Sequence, residues 1–576
     1  MGTIWAWDAT DTIAAKSRAG VYLLTYRGEG TLQVGGDVQI LRSRPGIILF
    51  RNVAGGTLAL DITATDPKHT GDYLRDIVVV PQQYAALHAA GEIFNPAWLK
   101  LIENARELRF MDWMGTNGVT HATWDTRPEP DDATWGLRGA PLEVMVQLAN
   151  QTGTEPWFNM PLGADEAYIR NFAIYVRDHL NPALKVHVEY SNETWNWMFT
   201  QTQWLGAQGK AVWGTDDKAA YIDYASMLAT RSVRIWDEVF GTEAKTRLDK
   251  VLGTQTVNPW LSTRLLTAPL WQQFDPAGYV APASVFNSLA VTTYFGGAQV
   301  SDPAQRAALL AVMKDPAQDA TAWLKARLED PAGDFSIPQI AAYWASQKAV
   351  AKQYGLKLVA YEGGQHVLHS AGIGGISDQD MTALTTFLAG FVRSPAMADL
   401  YHQLWTAWAQ VGDGPFMHFT DVSAASKFGA WGLYSGLGDH NARADLLMDL
   451  NAHAAAWFGD GGGPQYQQGV IRIAGDGGEA LTGTDHDDFL IGGAGDDTFT
   501  PGRGHDVIAG GAGTDTVVLP GAAKEYYLVP ETTDKTADRP AAYRLTGPGT
   551  DDVVQGIARF RFADGSIRML DQMLKS

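Results

Sequence analysis

The chain is 576 residues long, 45% hydrophobic and 19% charged, so two or three domains with ample core material are expected. A formal net charge of −20 excludes a reader of the nucleic-acid phosphate backbone, which needs clustered Lys and Arg, and disfavours anionic membrane surfaces. No apolar run approaches the ~20 residues of a membrane-spanning helix, and a chain without cysteine has neither disulfides nor thiolate metal sites.

The first residues, "MGTIWAWDAT", lack a basic n-region and an apolar h-region and are not expected to act as a secretory signal peptide. Residues 1–70 read as β-structure. "GVYLLTYRGEGTLQVGG" alternates and turns at Gly28 and Gly30, and "GIILF" and "GTLALDITATD" follow at short spacing. A small antiparallel sheet or sandwich is expected there.

Over residues 71–460 short apolar runs alternate with helical stretches. Candidate strands are "DIVVVP" (76–81), "LRFMDWM" (108–114), "PWFNMP" (156–161), "KVHVEYSN" (185–192), "KVLGTQT" (250–256), "LAVTTYF" (289–295), "KLVAYE" (357–362) and "HQLWTAW" (402–408). Among the helices, Ile169, Phe172, Val176 and Leu180 share one face behind a capping Asp165. A second, "PQIAAYWASQKAVAKQYG", ends at Gly355. Eight strands alternating with helices predict a (β/α)₈ TIM barrel. An open doubly wound sheet is the alternative, and the lack of a GxGxxG or P-loop stretch after an early strand counts against it.

Residues 461–482 form a glycine-rich linker, and residues 483–576 a third region with a nine-residue period. "GTDHDDFLI", "GGAGDDTFT", "PGRGHDVIA" and "GGAGTDTVV" follow one another from residue 483 to 518. Each carries aspartate at its sixth position (Asp488, Asp497, Asp506, Asp515) and an apolar residue two further on (Leu490, Phe499, Ile508, Val517). Glycine allows the positive φ of the turns, while carbonyls and aspartates of neighbouring turns offer hard oxygen ligands to a cation. The apolar residue points inward as the thin core of a parallel β-roll; a disordered glycine-rich tail is the competing reading. The period resembles the calcium-binding nonapeptide of RTX proteins, which implies structural Ca²⁺ at the four aspartates. The tail "GIARFRFADGSIRML" resembles the segment that follows such repeats in exported RTX proteins. That resemblance implies export through a type I secretion apparatus and an extracellular location.

Chemistry concentrates at two strand ends. Glu193 follows "KVHVEYSN" and Glu362 ends "KLVAYE", at the rim where βα loops gather in a barrel. Glycosidic bond cleavage needs such a pair, one carboxyl to protonate the leaving oxygen and one to attack or to activate water. With Asn-Glu after the fourth expected strand and Glu ending the seventh, the chain resembles the clan A glycoside hydrolases. The strings "EYSNETWN", "LRFMDWM" and "YEGGQH" also resemble a bacterial group often labelled cellulose-binding. The clan resemblance implies Glu193 as acid/base, Glu362 as nucleophile and Asn192 as holder of the sugar 2-hydroxyl. It further implies a hydrogen bond from Tyr294 to Glu362 and a sugar platform at Trp408, with His366 and Asp112 as sugar contacts. No catalytic cofactor follows from it. A retaining pair would stand ~5–5.5 Å apart, against ~6.5–9.5 Å for an inverting one.

Trp195 and Trp197 fit either loop anchors or sugar platforms, and Glu189 is expected as a buried network partner. His187 with Glu189 has no third ligand at metal-site spacing, which argues against a metalloenzyme. Ser191 has no base partner in sequence. No arginine sits where the clan's nucleophile-tuning arginine is expected, because Arg109 falls at the wrong end of its strand. The reading is a secreted retaining hydrolase of a polysaccharide (a β-glycan or bacterial exopolysaccharide). Alternatives are a non-catalytic carbohydrate-binding or adhesive protein and a transglycosidase.

Overall fold

The computed structural model describes the chain except residues 1, 6–11, 90–91, 119–122, 133, 368–374, 455–456, 460, 464–468, 531–541 and 576. Two compact units result, one of residues 1–103, 436–438 and 467–576, the other of residues 104–435 and 439–466.

In the first unit the N-terminal region forms two antiparallel sheets. One orders strands Gly2–Trp5, Leu58–Thr65 and Gly30–Gly36; the other orders Val38–Arg44, Ile47–Asn52, Gly20–Arg27 and Arg75–Pro81. Leu24, Leu32, Ile48, Phe50, Leu58 and Leu60 fill the core. The run expected as the first barrel strand therefore belongs here, with Val78, Val79 and Val80 paired antiparallel to Thr25, Leu24 and Leu23. A short apolar run fits a buried parallel strand and an antiparallel one equally well, and only its pairing decides.

In the second unit six parallel strands follow one another in chain order: β1 (Glu107–Arg109), β2 (Glu155–Met160), β3 (Val186–Tyr190), β4 (Leu248–Gly253), β5 (Ser288–Phe295) and β6 (Lys357–Gln365). They curl into a nearly closed barrel, so that Arg109 of β1 reaches Glu362 of β6 at 3.1 Å. The expected eight-stranded barrel is thus a six-stranded sheet among the described residues. The other misplaced strand, 402–408, lies inside helix Pro395–Ala409, whose buried Met397, Leu400, Tyr401, Leu404 and Trp408 recur at helical spacing. Ser394 caps that helix ahead of Pro395, a start signal present in the sequence. The place beside β6 is taken by an irregular segment, where the Asp413 and Phe419 N–H groups donate to the Leu358 and Gly363 carbonyls.

Helices between the strands follow their apolar faces. Helix Glu166–His179 starts at Asp165, whose carboxylate accepts the Tyr168 N–H at 2.7 Å, and it buries Ile169, Phe172 and Val176. Helix Ile337–Gln353 stops two residues before Gly355, which sits at φ 72°.

The C-terminal region is a coil of short strands in two sheets. Ile471–Ile473, Phe489–Ile491, Val507–Ala509 and Thr550–Gln555 pair in parallel in one; Ala480–Thr482, Thr498–Thr500, Asp515–Val518 and Ile557–Arg561 pair in the other. Between the sheets lie Leu481, Leu490, Phe499, Ile508, Val517, Val554 and Phe560. The coil starts inside the stretch expected as linker, since glycine content marks tight turns as readily as loose chain.

Candidate active site

The interior of the barrel is built around Glu189. Alternation along β3 sends Val186, Val188 and Tyr190 to the helices and His187 and Glu189 inward. One oxygen of Glu189, Oε2, accepts four bonds: from Arg109 Nε (3.2 Å) and Nη2 (2.8 Å), Trp157 Nε1 (3.0 Å) and Asn159 Nδ2 (2.9 Å). The expected network partner is the hub of the site. Arg109 also donates Nη1 to Glu362 Oε2 at 3.1 Å and Nη2 to Asn192 Oδ1 at 3.0 Å. The sequence reading of Arg109 is thereby corrected. Strand β1 ends at Arg109 instead of beginning beside it, so the guanidinium stands at the carboxyl end, where the chemistry gathers.

Glu362 faces inward because β6 carries an extra residue. Val291 pairs with Ala360 and Thr292 with Glu362, which leaves Tyr361 unpaired between them. A bulge of this kind breaks the alternation, and consecutive Tyr361 and Glu362 both serve the interior. The two glycines that follow are required by close packing. A Cβ on Gly363 would stand 1.9 Å from Thr293 Oγ1, and one on Gly364, at φ 101°, 2.5 Å from the Tyr401 hydroxyl. Burial pushes the Glu362 carboxyl up to about 7, against the pull of Arg109 and with Glu193, Glu189 and Asp112 adding to the rise.

Glu193 is aimed by the backbone. Ser191 at φ 58° and Glu193 at φ 39° are both left-handed non-glycine residues, a costly conformation that clusters at functional sites. The Tyr361 hydroxyl donates to Glu193 Oε1 and Asn196 Nδ2 to Oε2, each at 2.8 Å. Burial, then the nearby Glu193 and Glu362 charges, push the Tyr361 phenol well up, so it remains a donor. Trp195 and Gly253 line a pocket with Glu189 and Glu193, whereas Trp197 is exposed and meets the Tyr221 ring edge-on at 5.1 Å.

Around this pair the structure gathers most of the remaining sequence candidates. Asn192 is buried, and its Nδ2 donates to Asn117 Oδ1 at 3.1 Å. Tyr294 stands within hydrogen-bonding reach of Glu362, its phenol pushed well up by burial and by the Glu362 and Glu193 charges. His366 packs edge-on against Tyr294 at 5.0 Å, and burial pushes its imidazole down to about 4. Its buried Nδ1 has no hydrogen-bond partner among the described residues. Asp112 is exposed at the rim and feels the Arg109 charge.

Trp408 is not brought to the site. It is fully buried in its helix, edge-on to Trp344 at 5.3 Å, and its Nε1 donates to the Gly414 and Pro415 carbonyls. The aromatic group found by the site is Trp431, 5.9 Å from His366, with a buried indole N–H that has no partner among the described residues. Sequence reasoning set Arg109 aside and passed over Tyr361, Asn159 and Trp431. Only Arg109 left a signal, as the one basic residue of its run.

At the opposite end of the strands lies a second polar cluster. His187 Nδ1 faces Asp249 Oδ2 at 3.2 Å, and Nε2 faces Glu155 Oε2 at 3.1 Å and Glu107 Oε1 at 3.4 Å. In space, then, His187 does acquire further ligand-type neighbours, and Glu107, Glu155 and His187 lie close enough to share an ion. Both ring nitrogens already face carboxylates. Although burial opposes it, the charges of Glu107, Asp249 and Glu155 hold the imidazole well above its ordinary range. An imidazolium therefore balances the cluster from within. Burial pushes Glu107 up to about 7.

In the coil the four repeat aspartates are all buried. Asp497 Oδ2 and the Gly510 carbonyl converge on the space a Cβ would take at Gly492, as Asp488 Oδ2 and the Pro501 carbonyl do at Gly483. Oδ2 of Asp506 and of Asp515 is buried without a hydrogen-bond partner among the described residues. Orphaned carboxylate oxygens beside turn carbonyls fit a hard cation with oxygen ligands, which is Ca²⁺ chemistry. Asp488, Asp497, Asp506 and Asp515 are the residues that would hold it.

The family model for the RTX calcium-binding nonapeptide repeat matches residues 473–508 and 482–517. A search of curated proteins finds no match. Among solved structures, the chain is similar to the CBM22-1–GH10 modules of Clostridium thermocellum endo-1,4-β-D-xylanase 10B. Identity is 10%, coverage is 79% of this chain and 95% of that one, and the TM-score is 0.32. It is also similar to a glycoside hydrolase family 5 mannosidase from Rhizomucor miehei, with 9% identity, 62% and 86% coverage and a TM-score of 0.26. An endo-β-1,4-mannanase double mutant of Cellulomonas fimi matches at 10% identity, 70% and 67% coverage and a TM-score of 0.24. Likenesses at these TM-scores carry no weight for activity, which has to be read from the site.

Proposed function

We propose that the chain is a secreted retaining glycoside hydrolase of a polysaccharide, with Glu193 as acid/base and Glu362 as nucleophile. The observation that supports this best is the pair of unlike carboxyls in one interior. Glu362 is held by Arg109 at 3.1 Å, while Glu193 is gripped by two neutral donors, Tyr361 and Asn196, at 2.8 Å. The Arg109 cation favours the ionised form of Glu362 that a nucleophile requires, against the burial that pushes its carboxyl up to about 7.

In the proposed reaction Glu193 gives its proton to the glycosidic oxygen as that bond to the anomeric carbon breaks. The Glu362 carboxylate forms the new bond to that carbon. Water, deprotonated by Glu193, then displaces Glu362, and both groups return to their starting forms. Tyr294 and Arg109 hold Glu362 in line, and His366, neutral because of its burial, offers the orphaned Nδ1 to a sugar hydroxyl. The repeat coil supports export by a type I secretion route, and no helix among the described residues is long and apolar enough to cross a membrane.

The test is reducing-end release from β-glycans and bacterial exopolysaccharides, with calcium present, by wild type, Glu362→Ala and Glu193→Ala. Release by wild type that falls ~10²–10⁴-fold in each variant supports the assignment. Turnover that survives Glu362→Ala sinks the nucleophile. Glycan binding without release by wild type makes the site a recognition site.

A further inference from the structure

The repeat coil does not end where the repeats end in sequence. Residues 547–555 read "GPGTDDVVQ". That is a nine-residue turn with glycine first, aspartate sixth (Asp552) and an apolar residue eighth (Val554). It lies outside the matched 473–517 and enters only after residues 519–546, so a search for consecutive repeats passes over it.

Several contacts that turn 501–509 makes to turn 483–491 are repeated by residues 550–555 on turn 501–509, while Gly547 and Thr550 also pair as the end of a hairpin with strand Ala542–Gly547. Val507 pairs with Phe489 and Val553 with Val507, in parallel. The Val507 N–H donates to the Asp488 carbonyl at 2.8 Å, and the Val553 N–H to the Asp506 carbonyl at 2.8 Å. The Asp488 N–H donates to Asp506 Oδ1 at 2.8 Å, and the Asp506 N–H to Asp552 Oδ1 at 3.2 Å. Val554 is buried between the sheets as Ile508 and Leu490 are.

Asp552 is itself fully buried, and its Oδ2, like that of Asp506, has no hydrogen-bond partner among the described residues. Two adjacent buried carboxylates, each with an orphaned oxygen, are unfavourable unless a cation sits against them. The sister row ends differently. Beyond Asp515 the chain supplies Arg559, whose Nη2 donates to the Thr514 carbonyl at 2.7 Å and lies 3.8 Å from Asp496 Oδ2. One row therefore ends beside an arginine, and the other ends on a further acid.

We propose that residues 547–555 form an additional calcium-binding turn, in which Asp552 and Asp506 hold one Ca²⁺ between their loops. Calcium at this step clips the segment that carries residues 550–561 onto the nonapeptide array. The C-terminal strands then order only when the coil is loaded.

Calcium binding to the full-length chain, counted by native mass spectrometry at saturating CaCl₂, tests this. Asp552→Asn should hold one ion fewer than wild type. Asp551→Asn, altered at a half-buried acid paired with Arg544 at 2.6 Å, should hold the wild-type number. An unchanged count in folded Asp552→Asn, alongside a reduced count in Asp506→Asn, overturns the proposal. Should Asp552→Asn fail to fold, hydrogen exchange of the wild type decides. Protection of residues 550–555 that rises with calcium supports the clip, and equal protection with and without calcium overturns it.

Discussion

The barrel and the coil solve opposite problems with acidic side chains. In the barrel, buried carboxylates are neutralised from within. Glu189 and Glu362 share Arg109, and Glu107, Glu155 and Asp249 share His187. In the coil, Asp506, Asp515 and Asp552 keep buried oxygens that no described residue satisfies. A folded chain can keep acids buried by bringing its own cation across the sheet or by borrowing one from the medium. The first choice makes structure independent of the medium, and the second makes it conditional.

Calcium removal should expose this difference most. With chelator present, hydrogen-exchange protection over residues 471–530 and 542–561 should collapse while β2 to β6 keep theirs. Each ion held at about 100 times its Kd contributes roughly 2.7 kcal/mol. Uniform loss in both regions, or none in the coil, would contradict the contrast.

Next in size is His187→Ala, which strands three buried carboxylates and should cost about 3–5 kcal/mol in urea unfolding. The pH dependence has a definite sign. His187 is raised in the folded state, so its contribution is full below the unfolded value and lost as pH climbs through the folded one. Glu107, raised from 4.5 to about 7, makes stability fall between those two values as pH rises. Both groups predict a barrel that is more stable at mildly acid pH than at alkaline pH.

Gly363→Ala tests the bulge. Its Cβ would meet Thr293 Oγ1 at 1.9 Å and the Thr293 nitrogen at 2.7 Å, an overpacking worth ~1–3 kcal/mol, with turnover falling further than stability because Glu362 moves. For the site itself, activity should fall as pH drops through about 7, where Glu362 takes up its proton. Arg109→Lys, which loses the planar fork, should move that limb to higher pH. A rate profile with no limb near neutrality would sink the nucleophile assignment. The smallest change is Tyr361→Phe. It removes one 2.8 Å bond to Glu193, ~1 kcal/mol and so roughly a fivefold loss of kcat.

Legibility followed the range of the interactions. Helix Glu166–His179 could be read from Asp165 and its apolar spacing, because both signals lie within a few residues. The same spacing was present over 395–409, yet the apolar "HQLWTAW" also satisfied a strand, and Trp408 went with it to the wrong role. "DIVVVP" had no local feature to say which sheet it joined. Arg109 was misjudged because its strand stops three residues in, a limit imposed by neighbours.

By itself the sequence determined the repeat coil, its inward apolar residues and its aspartates, because a nine-residue period carries the same instruction in every turn. It also marked Glu193 and Glu362 as the residues to watch, through the strand-like runs that lead to them. Tertiary structure alone decided that six strands form the sheet, that the bulge at Tyr361 turns Glu362 inward, and that Arg109 joins Glu189, Asn192 and Glu362. It also returned Asp552 to the coil after residues 519–546. Each of these depends on groups far apart in the chain meeting in space, and no local pattern encodes such a meeting.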